Sequence, residues 1–538
     1  MGINRSSVVA VLSLGALCCF TPNCSIFGSD DDPPAGVEEV PPPAVEAGAD
    51  GAVELPKAPP VGGPANASEL TNALGVFVAN RGSDAADGTR ERPLARIQPA
   101  IDLAKMVGKR VYVCAGTYLE ALVVADSISI VGGLDCSGDT WKTGTGFSRV
   151  DAPASPAVSA SNIASPTRLE GLDIIAPSAT TPSGSSLGLI ADKAGALVVA
   201  RSKITAGNAM KGDDGVEGIQ LANGPYTGGA FIPAAVNCAS PSPGLPYCSS
   251  FGTPPAGGAG GINTCLGAPG FVMQAGGAGG TGGLYDVKTV VVDGVPKLDF
   301  VALPNAEAKA APPGRTGAAG VDSPDGLAPP AIGTFSMTGY SPADGNSGTN
   351  GAGGSGGSGG DGQSPGVNLQ ATPANARFRG WGGGGGGAGG CPGLAGSAGK
   401  GGGASIAALL LGSPVTFDGV QLVAGNGGDA GHGTLGSTPL PGGPRENPQI
   451  PTMQNPELAQ TVGHVGGRGG AAGVSTNGSS GPSAGIAHAG AAPKLMGDTK
   501  MMPGQGGVAI AVQTRTDLGI TKTVPATATG VSKDVLSL

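Results

Sequence analysis

Two aspartates, Asp151 and Asp173, stand 22 residues apart, with Arg149, Arg168 and Arg201 nearby and the pair Asp213-Asp214 further on. Carboxylates on neighbouring strands serve as acid and base in glycoside hydrolysis, and carboxylates that hold calcium beside an arginine serve proton abstraction. Asp151, Asp173 and Arg201 are therefore the catalytic candidates. Acidic and basic side chains also occupy ordinary solvent-facing turns, so residue type alone assigns no catalytic residue. Metal chemistry has less support. His432, His464 and His488 lie far apart in glycine-rich stretches and no C-x-x-C pair occurs, which leaves zinc without a ligand set. Gly356–Ser364 fits a calcium-binding nonapeptide except that Gln363 takes the hydrophobic place, and it occurs once where tandem copies are needed. No cofactor is assigned, calcium being the one with any trace. A phosphate-cradling G-x-x-x-x-G-K-[ST] run is absent.

Such side chains act only where elements hold them, and here the elements are short. GVFV (Gly75–Val78) opens as an alternating strand, followed by a Gly/Asp turn cluster. In LARIQPAIDLAKMVGKR, Leu94, Ile97, Ile101 and Ala104 share one helical face. Pro99 sets the helix start near Ile97, because proline is tolerated in the first turn. Val111–Val124 and Ser127–Asp135 read as β-branched strands broken by Gly, and further apolar runs follow at Leu169–Ile175, Leu187–Ile190 and Leu197–Ile204. A doubly wound sheet needs a helix between strands; one helix ahead of them all leaves a solenoid whose coils bury their apolar faces on one another.

Leu197–Gly215 returns as Val415–Gly433 at a constant offset of 218, pairing Ile204 with Leu422 and Asn208 with Asn426. Coils are thus expected at 74–206, at 404–424 and, from GGVAIAV (Gly506–Val512), at 506–538. The stretches 207–403 and 425–505 loop out as insertions. With 102 Gly and 47 Pro among 538 residues, these insertions have two readings. Disorder is one, since glycine loses most entropy on ordering. The other rests on GGAGGTGG (Gly276–Gly283) and GGSGGSGGDG (Gly353–Gly362), which repeat every three residues, the period of extended polyproline-type helices that can bundle. Asp293-Gly294 can close a hairpin within Asp286–Val295, with Pro296 shortening its second strand.

The amino terminus carries an address. Arg5 precedes an apolar run from Val8 to Phe20, the length of a secretory signal core and too short to span a bilayer. Residues 1–24 read as the signal and 25–73 as an acidic, Pro-rich linker. The layout resembles a bacterial lipoprotein, acylated at Cys19, behind Ala16 and Cys18, or at Cys24, behind Pro22 and Asn23; cleavage without lipid is the plainer reading. The implied place is the outer membrane, cell surface or exterior of a Gram-negative bacterium, with membrane contact only through the anchor. A net charge of −9 and a 4% aromatic share argue against a nucleic-acid partner.

GVFVANRGSDAADGTRERPLARIQPAIDLAK, VYVCAGTYLE and ISIVGGLDCSGDTW, within Gly75–Gly207, resemble the opening of exported right-handed parallel β-helix proteins of the pectate-lyase-like superfamily, in a bacterial surface branch with glycine-rich insertions. The resemblance implies an all-β fold: a right-handed parallel β-helix with an N-terminal capping α-helix and long Gly-rich loop insertions. It further implies that Ala115–Tyr118 with Glu120 closes the first coil, and that Gly132, Gly133 and Asp135 form the turn after the second, as structural residues. The superfamily includes lyases, hydrolases, adhesins and stalks, so fold is informative and activity is not. A non-enzymatic surface protein with a structural or adhesive role is expected, its partner an extracellular polysaccharide, matrix or neighbouring cell; the alternative is a secreted polysaccharide lyase or glycoside hydrolase. Cys114 and Cys136, 22 residues apart, span about one coil and are expected to form a disulfide, against the reading of two buried thiols. Cys238, Cys248, Cys265 and Cys391 leave their pairings open.

Overall fold

The computed structural model describes residues 67–224 (save 138, 139 and 145), 247–248, 256–267, 275–302 (save 279, 282 and 283), 316–362, 377–379, 382–445 and 463–538. The signal, Cys19, Cys24, Cys238 and the linker up to residue 66 lie outside the described residues.

The β-branched runs deal themselves in rotation to three parallel sheets. Sheet A stacks Gly75–Val78, Arg110–Cys114, Ile130–Leu134, Thr167–Glu170, Leu197–Ala200, Thr416–Asp418 and Lys494–Met496. Sheet B stacks Gly116–Tyr118, Ser148–Asp151, Leu172–Ile175, Lys203–Ala206, Gln421–Ala424 and Lys500–Met502. Sheet C stacks Leu122–Val124, Val158–Ser161, Ser186–Asp192, Ser405–Leu411, Ser483–Ala489 and Ser532–Ser537. Each circuit runs A, B, C and returns to A one layer on. Alternate residues of the strands point inward, where Val111, Ile130, Leu169, Val199, Ile204 and Phe417 join one core. Strands this short bury too little alone, so every layer depends on its neighbours.

The helix α1 (Ile97–Val107) packs on the first strands through Ile97, Ala100, Ile101 and Ala104, and ends at Gly108 in the left-handed conformation. Its starting N–H groups have no cap from the adjoining side chain. Glu120 supplies one from a distant turn, accepting from the N–H of Ile97 at 2.7 Å and of Gln98 at 2.9 Å, and Asp84 accepts from those of Ala95 and Arg96.

The glycine-rich stretches leave and return at one corner. They depart after Ala206, Ala424 and Met502, at the ends of sheet B strands, and re-enter at Ser405, Ser483 and Ser532, the starts of sheet C strands. Between these points they run extended with a three-residue hydrogen-bond period. Gly387, Gly390 and Gly393 donate to the carbonyls of His464, Gly467 and Gly470; Gly351, Gly354 and Gly357 donate to those of Gly393, Gly390 and Gly387. The first set is parallel and the second antiparallel. The middle strands, 382–394 and 466–482, are almost wholly buried, so the bundle's core is backbone. Gly386 shows why: a Cβ there would sit 2.0 Å from the carbonyl oxygen of Gly357.

Three expectations are thereby corrected. The described parts of 207–403 and 425–505 leave the sheets and bundle, the second of the two readings, but 425–505 is not insertion throughout: it contains the strands Ser483–Ala489, Lys494–Met496 and Lys500–Met502. SAGIAHA hides from a pattern reading because the middle strands of sheet C, Ser186–Asp192, Ser405–Leu411 and Ser483–Ala489, are buried on both faces: Phe335 and Tyr340 pack on their outside with Leu187, Ile406 and Ala484, so no alternation is required. Gly506–Val512 is no strand; Val508 and Val512 are exposed, and Ser532–Ser537 closes the stack. The hairpin pairs Leu284–Val292 with Val295–Ala302, its second strand running on past Pro296, which lies on an edge strand where a missing N–H costs no ladder bond. No helix among the described residues is long and apolar enough to cross a membrane.

Candidate binding face

The outer face of sheet B gathers most of the chemically capable residues. Strand pairing aligns Thr117, Arg149, Asp173, Lys203, Gln421 and Lys500 in one row, and Asp151, Ile175, Thr205, Val423 and Met502 in the next. Tyr118, Val150, Ile174, Ile204 and Leu422, alternating with these, face the core.

Asp151 and Asp173 are not brought opposite one another. The layer spacing here is 24, not 22, so Asp173 lies against Arg149 and Asp151 against Ile175. Asp151 is paired with Arg149 at 3.0 Å. Asp173 sits between Arg149 and Lys203, its Oδ1 buried without a hydrogen-bond partner. Arg201 is engaged elsewhere, where it and Arg168 hold the fully buried carboxylate of Glu170. An acid and a base facing each other across one bond are missing from this row. Asp213 and Asp214 divide as well, Asp213 offering its carbonyl to Lys400 and Asp214 its carboxylate to Lys211.

The turn residues have backbone work. Gly133 adopts a φ of +71°, a conformation that other residues enter only with strain. Asp135 accepts from the N–H of Ser137, which holds its carboxyl below the usual range. Cys114 and Cys136 are joined, with a Cα–Cα distance of 5.8 Å, beside a cluster of Phe77, Tyr112 and Trp141 outside sheet A. Cys265 and Cys391 form a second disulfide across 126 residues within the bundle.

Sheet B's register runs on into the glycine-rich strands. Asn208 accepts from the N–H of Asn426, 218 residues away, at 2.8 Å, and Asn426 in turn from that of Gln505, 79 away, at 2.9 Å. Asp214 accepts from His432 and Asp429 from Val508 in the same manner; that amide and the ammonium of Lys211 hold the Asp214 carboxyl low. No protein-family model, curated protein or solved structure matches this chain. A further groove of about 670 Å3, lined by Asn80, Arg81, Asp135 and Thr143, opens beside the first disulfide.

Sequence reading missed the side-chain ladder across Asn208, Asn426 and Gln505. A signal was present: the 218 offset already aligned Asn208 with Asn426. What could not be read was that glycine-rich segments would keep the register of the strands before them. The groups of three or more His, Cys, Asp and Glu that a metal ion requires do not occur among the described residues.

Proposed function

We propose that this chain is an exported, lipid-anchored right-handed parallel β-helix, α1 capping its first coil, with a structural and adhesive role at the cell surface rather than a catalytic one. The observation that carries this reading is the single corner from which all the glycine-rich excursions grow. Their described parts pack backbone against backbone beside the sheets. The A, B, C rotation and the helix on the first strands support the β-helix; two disulfides suit an oxidising compartment. Asp151 tied to Arg149, and Asp173 set between cations, leave a hydrolase without its facing acid and base.

The test has two arms. Metabolic labelling with palmitate is expected to mark the wild-type protein and to fail for Cys19→Ser or for Cys24→Ser, and protease added to whole cells should remove the labelled protein. Incubation with neutral and acidic polysaccharides, with and without calcium, should release no new reducing ends and no unsaturated uronates. Products that vanish in Asp151→Asn or Asp173→Asn would establish an enzyme instead.

A further inference from the structure

Past the end of sheet B, three extended strands form an exposed shelf. Asn208, Lys211 and Asp214 stand on the first, Asn426, Asp429 and His432 on the second, Gln505, Val508 and Ala511 on the third. Each lies three residues from the last, which at about 3.1 Å per residue sets successive rows roughly 9 Å apart along the strand. The hairpin of Gln513–Asp517 and Ile520–Val524 bounds the far end, where Gln513 meets His432 at 3.0 Å.

Neighbouring backbone takes up one oxygen of Asn208, Asn426, Asp214 and Asp429. The amide nitrogens of Asn208 and Asn426 have no partner among the described residues, and the two side chains are adjacent in one row. We propose that this shelf binds an uncharged, hydroxyl-rich polysaccharide chain lying along the strands. Its hydroxyls accept from the amide nitrogens of Asn208 and Asn426 and donate to the second carboxylate oxygen of Asp429. The proposal rests on the surface-protein reading above and gives it a ligand class.

Two features select that class. The shelf is acidic: Asp214, Asp429 and the nearby Glu217 outnumber Lys211, which is itself held by Asp214 at 2.9 Å, and the chain's net charge is −9. A polyanion is therefore repelled. Val508 is the one large apolar side chain among the nine, too little for the apolar centre of a protein interface.

Affinity electrophoresis of the whole protein through gels holding hydroxyethyl cellulose, or polygalacturonate, tests this. Retardation is expected in the neutral polymer alone. Asn208→Asp/Asn426→Asp keeps the oxygen that caps the backbone, as the carboxylates of Asp214 and Asp429 already do, and removes only the free donors. The double variant should keep the wild-type melting temperature and bind at least tenfold more weakly. Equal retardation of variant and wild type, or equal retardation by polygalacturonate, overturns the shelf as a neutral-glycan site. So does a wild-type protein that runs unretarded in the neutral gel. None of these results touches palmitate labelling, on which the surface-protein reading is judged separately.

Discussion

Glu120 reaches 23 residues back along the chain to take two N–H groups at the start of α1. A buried carboxylate in that role is a cap supplied by tertiary structure, and removing it leaves donors unsatisfied. Glu120→Ala should cost about 1–2 kcal/mol, measured as a shift of the urea midpoint at constant slope. The acidic groups also set a pH limit. Asp322, hydrogen-bonded by Arg468, and Asp214, by the N–H of His432, both hold their carboxyls below the usual range. A depressed folded value stabilises above the unfolded value near 4 and loses that contribution as pH falls through the lower folded one. Melting temperature should therefore stay level from about pH 7 to 5 and drop below about pH 4; a protein stabilised by acid would contradict the assignment. Structural roles for Glu120, Gly133 and Asp135 were implied by the family resemblance alone, and that Glu120 would cap α1 was not legible, since its partners lie 22 and 23 residues away. Nor was the fate of Asp173, since a change of two residues in layer spacing moves its neighbour from Asp151 to Arg149.

At the scale of elements, the strands in the first coils and the helix showed in the sequence through β-branched runs and helical spacing. Ser483–Ala489 did not, because small residues buried on both faces carry no period. The bundle stood as one of two readings, its three-residue phase visible and its partners not. Its packing makes a sharp expectation. Gly386→Ala forces a Cβ to 2.0 Å from a backbone oxygen that cannot rotate away, and should destabilise by about 3 kcal/mol or more. Gly146→Ala, where the nearest atom is the Ala115 methyl at 3.6 Å, should change stability by no more than about 0.5 kcal/mol. The Cys265–Cys391 disulfide ties a strand of the buried layer to a distant segment, so Cys265→Ala/Cys391→Ala should lose about 2–5 kcal/mol, read by calorimetry against the wild type.

Among the described residues, three stacked sheets continue, in register, as bundled glycine-rich strands. The two ends of the stack differ. α1 packs on first strands of sheets A and C, whereas the last strands of the three sheets each carry a lysine: Lys494, Lys500 and Lys533. Charged edges resist pairing with another chain. Lys494→Val/Lys500→Val/Lys533→Val should therefore raise the share of oligomer seen by light scattering, while the wild type keeps the lower mass.

That 382–404 and 463–482 are folded, and not slack, is the claim on which the bundle and the shelf it supports depend. Amide hydrogen exchange followed by mass spectrometry addresses it most directly. Peptides covering these two segments should exchange as slowly as those covering Leu197–Ala200 and Ser405–Leu411. Full exchange within seconds, at the rate of an unstructured glycine chain, would contradict it.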